Sequence, residues 1–136
     1  MNILFIVGKF PVLSETFILN QITGLINRGH KIDIFAAIPG DSSAVHTDVD
    51  KYSLLDHAYY SRMPDSFLFR LVKGFTLLAA NGFKRRGLLL RSLNLFKYGR
   101  YSASMRLLYD AAPMLGQPSH DIIHCHFGHN GNRGGM

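Results

Sequence analysis

The sequence predicts an α/β fold, a Rossmann-like three-layer αβα arrangement on a parallel sheet. Three observations carry that prediction. Residues 2–7 (NILFIV) form a nearly continuous apolar run, the pattern of a strand buried on both faces. An amphipathic helical pattern follows at once. A second strand-like run, residues 31–36 (KIDIFA), comes after only a short glycine turn. Strand, loop, helix, turn and strand make a βαβ unit, which requires parallel pairing.

Each element has a local cause. Gly8 and Pro11 in GKFPVLS predict a loop after the first strand. Ser14 is a good N-cap residue, and Glu15 in the first turn would complement the helix dipole. The helix is expected over about residues 15–27, with Phe17, Ile18, Ile22, Leu25 and Ile26 at helical spacing. Arg28 and Gly29 end it, a basic last turn followed by a glycine. Residues 39–43 (PGDSS) form a loop, and residues 44–64 read as irregular apart from a short strand near residues 57–60. Helices are expected over about residues 65–81, 88–96 and 101–111, with a break at Asn81-Gly82. Residues 121–126 (DIIHCH) read as another buried strand, preceded by a turn at Ser119 and His120. The sheet therefore has about four strands, with a helical insert between the last two. A strand followed by a Gly-rich loop should feed a further helix, so the pattern predicts a partial domain, a fragment of something longer.

Composition limits the function classes. The chain has 136 residues, 47% hydrophobic, and a single cysteine, Cys125. That suits one domain with a real core and no disulfide framework, as in a reducing cytosol. No apolar run reaches the roughly 18 residues of a membrane span, and the N-terminal run lacks the flanks of a signal peptide. Ten of the fifteen Lys and Arg residues lie between Arg62 and Arg106, against one acid, Asp65. Such a basic stretch, interleaved with apolar residues, suits an anionic membrane surface or else a solvated helical face. No nucleic-acid-binding motif accompanies it.

Candidate site residues lie at the carboxyl ends of the strands, where ligands bind in this architecture. Gly8 opens the first such loop, but GKFPVLS is neither G-x-G-x-x-G nor a Walker loop. His124 and His126, two apart in a strand, share one face. His126, at the strand end, is placed for substrate contact or proton transfer. No acidic ligand accompanies these histidines, so no metal is expected. Cys125 reads as a small buried residue and not a nucleophile. Ser119, His120 and Asp121 are not a triad, since triad partners come from separate elements.

Two segments carry a resemblance. Phe10, Pro11, Ser14, Glu15, Thr16 and Phe17, followed by Arg28-Gly29-His30, match the F-P-x-x-S-E-T-F and R-G-H of family-four glycosyltransferases of the GT-B fold. Residues 121–131 (DIIHCHFGHNG) resemble that family's D-I-I-H-x-H-F-G-x-N-G, with His129 standing where Pro is usual. The pattern is most similar to the colanic-acid and exopolysaccharide branch. The resemblance implies a partial N-terminal, acceptor-side domain over residues 1–136, with the donor-binding domain, the paired glutamates and a His-Gly motif outside them. It implies retaining transfer from a nucleotide sugar, a substrate and not a cofactor, to a lipid-linked saccharide acceptor. The chain alone would then be inactive. Gly8, Phe10, Ser14, Glu15, His126 and Asn130 would bind substrate, and no catalytic residue is assigned. The location implied is cytoplasmic, peripheral on the inner face of the membrane. The competing expectation is a non-enzymatic Rossmann-like module for phosphate or nucleotide.

Overall fold

The computed structural model describes residues 1–41, 45–81, 94, 96, 99–114 and 117–126. Two compact units are present: residues 1–60 with the segment from Pro118, and residues 61–117.

The first unit is the sheet. β1 (Asn2–Phe10), β2 (Lys31–Pro39), β3 (Ala58–Tyr60) and β4 (Ile122–Cys125) are all parallel, in the order β3-β2-β1-β4. Helix α1 (Thr16–Asn27) joins β1 to β2. Side chains alternate across the strands. Ile3, Phe5 and Val7 with Ile32, Ile34 and Ala36 form one face, whose core includes Ile18, Leu19 and Ile22 of α1. Leu4, Ile6 and Phe35 fall on the opposite face and are equally buried. Burial on both faces explains why β1 is apolar without alternation. A fully buried side chain such as Ile22 contributes about 2–5 kcal/mol against truncation to Ala.

The predicted βαβ unit and parallel four-stranded sheet are present. The boundaries differ in instructive ways. β1 runs to Phe10 and not Val7, so Gly8 sits in the strand and not in a loop. The ladder with β2 continues through Lys9↔Ile38 and Phe10↔Pro39, and pairing overrides the weak strand preference of Gly and Lys. Ser14 is not the N-cap. Glu15 holds that position, without a side-chain cap bond, and no acidic residue lies in the first turn. At the other end the expected glycine is in place, but Arg28 is the C-cap and no basic residue lies in the last turn. Gly29 has φ +83°, and the Gly29 and His30 amides donate to the Ile26 and Leu25 carbonyls at 2.9 and 3.1 Å. This Schellman arrangement needs a left-handed residue, which glycine supplies without strain.

Residues 45–64 are more regular than their composition suggests. They contain α2 (Thr47–Lys51) and a 3-10 turn (Leu54–His57), anchored by buried Val49 and Leu54. β4 is not a buried strand. It is the edge of the described sheet, with Ile122 and Ile123 nearly half exposed. His124 is exposed and Cys125 only half-buried. Apolar composition identified a strand but could not tell an edge from a centre.

The second unit is helical. α3 (Phe67–Asn81) matches expectation, whereas the helix expected over 101–111 is two pieces, α4 (Arg100–Ala103) and α5 (Arg106–Ala111). Met105 between them has φ +59°, a left-handed conformation that interrupts a helix. The Tyr109 hydroxyl donates to the Arg70 carbonyl at 2.7 Å, tying α5 to α3. The helix expected over 88–96, apart from Asn94 and Phe96, and the break after Asn81 lie outside the described residues.

Candidate functional site

In the strand order β3-β2-β1-β4, the chain moves outward from β1 through β2 to β3, then returns to the other side of β1 as β4. The reversal makes a topological switch point between β1 and β4. In open α/β sheets the crevice outside the carboxyl ends at such a point is where ligands bind. The carboxyl end of β1 carries Gly8 and Phe10. His126 directly follows β4, and its amide donates to the Ile6 carbonyl at 2.9 Å, which holds it beside β1.

His126 is 8% exposed and sits in an aromatic group. Its ring stacks on Phe5 at 5.5 Å between centroids, and His124 stacks on the same phenyl at 5.0 Å. The two imidazoles are 4.5 Å apart, as the one-face spacing predicts. Phe17 of α1 meets His126 edge-on at 5.9 Å. Burial holds the His126 pKa below its ordinary value, and the nearby His124 lowers it further. His126 is therefore neutral at physiological pH, with one ring nitrogen able to accept and one to donate. That state suits hydrogen bonding to a hydroxyl or taking a proton from it.

Phe17 shares the helical spacing of the other apolar positions of α1. It is half exposed, while Ile18, Leu19, Ile22 and Thr23 are the buried residues of α1.

The remaining expected residues separate. Phe10 and Glu15 line a small, partly open cleft with Pro11, Val12, Ile18, Leu19, Val45, His46 and Val49. His126, Gly8 and Ser14 are not among its walls, and Ser14 is exposed. Asn130 lies outside the described residues. His46 is a member that sequence reasoning missed. Its Nδ1 accepts from the Asp48 amide at 3.2 Å, which leaves Nε2 as the N–H of the neutral ring. One wall of this region is fixed by backbone contact. The Gly40 amide donates to the Phe10 carbonyl at 2.7 Å. A Cβ on Gly40 would overlap the Pro11 carbonyl and stand 2.7 Å from the Pro11 nitrogen.

At the opposite, amino-terminal end of the sheet, Asp33 of β2 and His120 are 2.7 Å apart, with His57 Nδ1 at 3.9 Å from the other carboxylate oxygen. His120 was read only as part of a turn. Its partner comes from a distant strand, and neither residue alone signals the pairing. No group of three His, Cys, Asp or Glu residues able to hold a metal occurs among the described residues. No described helix is long and apolar enough to cross a membrane.

No protein-family profile matches the chain, and no solved structure does. Nearly all of it, in contrast, is similar to known glycosyltransferases. It is 35% identical over 134 residues to AmsK, an amylovoran biosynthesis glycosyltransferase of Erwinia amylovora, covering 96% of this chain and 32% of that protein. It is 32% identical over 130 residues to WcaL, a putative colanic acid biosynthesis glycosyltransferase of Salmonella typhimurium, covering 94% and 31%. For WcaL of Escherichia coli K12 the identity is 29% over 128 residues, covering 94% and 31%. The chain thus spans about a third of the length of each of these relatives. Nearly the whole chain resembles glycosyltransferases of amylovoran and colanic acid biosynthesis, the branch to which its two sequence segments point.

Proposed function

We propose that these residues form the acceptor side of a GT-B glycosyltransferase of cell-surface polysaccharide synthesis. The single observation that carries this reading is the meeting of Phe17 and the buried, neutral His126 at the β1/β4 switch point. The similarity to polysaccharide glycosyltransferases supports it. The donor-binding part and its paired glutamates would lie outside residues 1–136, in keeping with relatives about three times as long.

The reaction would replace the bond between a sugar's anomeric carbon and a nucleoside diphosphate by a bond to an acceptor hydroxyl oxygen. The hydroxyl proton leaves, the nucleoside diphosphate departs, and the anomeric configuration is retained. His126 would contact the acceptor hydroxyl or the transferring sugar through its neutral ring. Phe17 would offer an aromatic surface to the acceptor saccharide. The N-terminus of α1, which follows β1 at the same edge, would present its positive dipole end toward the donor diphosphate. Gly8 and Phe10 would line that approach, and Ser14 and Glu15 would shape it. Asn130 would join the acceptor contacts.

The test is to incubate the chain with nucleotide sugars and a lipid-linked saccharide acceptor. Binding of the acceptor without turnover is expected. Robust sugar transfer by the chain alone would overturn the division of labour. Tight binding of free nucleotide, with none of acceptor, would favour a non-enzymatic nucleotide-binding module instead.

A further inference from the structure

The cleft beside α1 has the chemistry of a site for an uncharged, hydroxyl-bearing ligand. Seven of its nine lining residues are apolar, and Glu15 and His46 are the other two. They come from separate elements, Glu15 from the start of α1 and His46 from the start of α2. The Glu15 side chain is half-buried, makes no cap bond to its own helix, and takes part in no ion pair among the described residues. The His46 ring has one nitrogen occupied, because Nδ1 accepts from the Asp48 amide and so caps α2. Its Nε2–H remains to donate. A carboxylate can only accept hydrogen bonds, and this N–H can only donate. Set on apolar walls, the two match a sugar ring, which offers hydroxyls at its edge and C–H groups on its face. The cleft is small and open on one side, which suits the edge of a single ring at its mouth.

Charge narrows the ligand further. No Lys or Arg is among the lining residues. The basic residue of α2, Lys51, lies in the last turn, away from His46, with its Nζ 5.2 Å from the centre of the Tyr52 ring. An Asp48 carboxylate oxygen is 3.4 Å from His46 Nδ1, which adds negative charge behind the imidazole. A phosphate or carboxylate entering here would leave water without a counter-charge and would meet like charge.

We propose that Glu15 and His46 form a specificity subsite that takes a neutral sugar ring of the acceptor and rejects the corresponding uronate. This rests on the acceptor-side reading above, and goes beyond it in bringing in His46 and in naming the class of sugar. The experiment is an NMR titration of the isotope-labelled chain with methyl glucoside and with methyl glucuronide, which differ only in a hydroxymethyl group against a carboxylate. The glucoside should shift the His46 imidazole and Glu15 amide signals saturably, and the glucuronide should bind at least about fivefold more weakly. Glu15→Gln keeps the shape and removes the charge, so it should narrow that preference to within about twofold. His46→Asn keeps a side chain able to cap α2 but loses the Nε2–H. It should weaken glucoside binding by about fivefold with an unchanged circular dichroism spectrum. Equal binding of the two sugars by the parent chain would overturn the proposal, and so would an unchanged preference in Glu15→Gln. Saccharide-dependent shifts at His126 with none at Glu15 and His46 would overturn this subsite alone. No saccharide-dependent shift at any of the three would overturn it together with the acceptor-side reading.

Discussion

The imidazole rings of His124 and His126 lie 4.5 Å apart, both stacked on the phenyl ring of Phe5. One ring is exposed and the other buried, and burial is the larger cause of the lowered His126 pKa. Between the lowered folded value and the ordinary one of about 6.5, the unfolded chain binds more protons than the folded chain. Stability therefore rises with pH through that window and is lost on acidification. Urea midpoints measured from about pH 8 to pH 5 should fall as the pH drops. His126→Phe keeps a ring on Phe5 without a titrating group, and its midpoints should depend less on pH over the same range.

Asp33→Ala leaves His120 mostly buried without its carboxylate partner. A buried polar group deprived of its bond costs about 1–3 kcal/mol, so chemical denaturation should show a loss of that size. His57→Ala removes only the exposed, longer contact at 3.9 Å and should cost well under 1 kcal/mol, as exposed pairs do.

Two glycines should respond with opposite signs. Gly40→Ala drives a Cβ into the Pro11 backbone, which no side-chain rotation relieves, and should destabilise by about 1–3 kcal/mol. Gly24, inside α1, has nothing within 4 Å of an added Cβ. Gly24→Ala should therefore stabilise by about 0.5–1 kcal/mol. Thermal melts of the two variants check both signs at once.

How far these features were legible in the sequence follows from the range of the interaction that makes each one. The two-sided burial of β1 and the glycine end of α1 are written in neighbouring residues, so they read directly. The shared face of His124 and His126 follows from strand period alone. The extension of β1 through Gly8 to Phe10 depends on pairing with β2, and local preference argued against it. The Asp33–His120 pair joins residues 87 positions apart, and nothing near either predicts the other. The outward turn of Phe17 needed the position of β4 beside β1. The apolar stripe of α3, exposed at Phe67, Leu68, Leu71, Val72 and Phe75, was visible as periodicity, which shows that a face exists but not which way it points.

Phe17→Ala separates site from scaffold. The ring is half exposed, so its loss should cost less than about 1 kcal/mol of stability, unlike a core aromatic at about 3–5 kcal/mol. On the proposed function it should weaken binding of a lipid-linked saccharide by about tenfold, since one aromatic contact is worth roughly 1–1.5 kcal/mol. Denaturation and acceptor titration on the same preparation distinguish the two effects.

The central claim is that the β1/β4 switch point receives the acceptor. It is tested most directly by titrating isotope-labelled chain with a lipid-linked saccharide and following backbone amide and imidazole NMR signals. The account predicts saturable shifts at His126, Phe17 and the residues from Phe10 to Glu15, absent with the lipid carrier lacking its saccharide and lost in His126→Ala. Saturable shifts confined to the amino-terminal edge around Asp33 and His120, or no saccharide-dependent shift at His126, would contradict it.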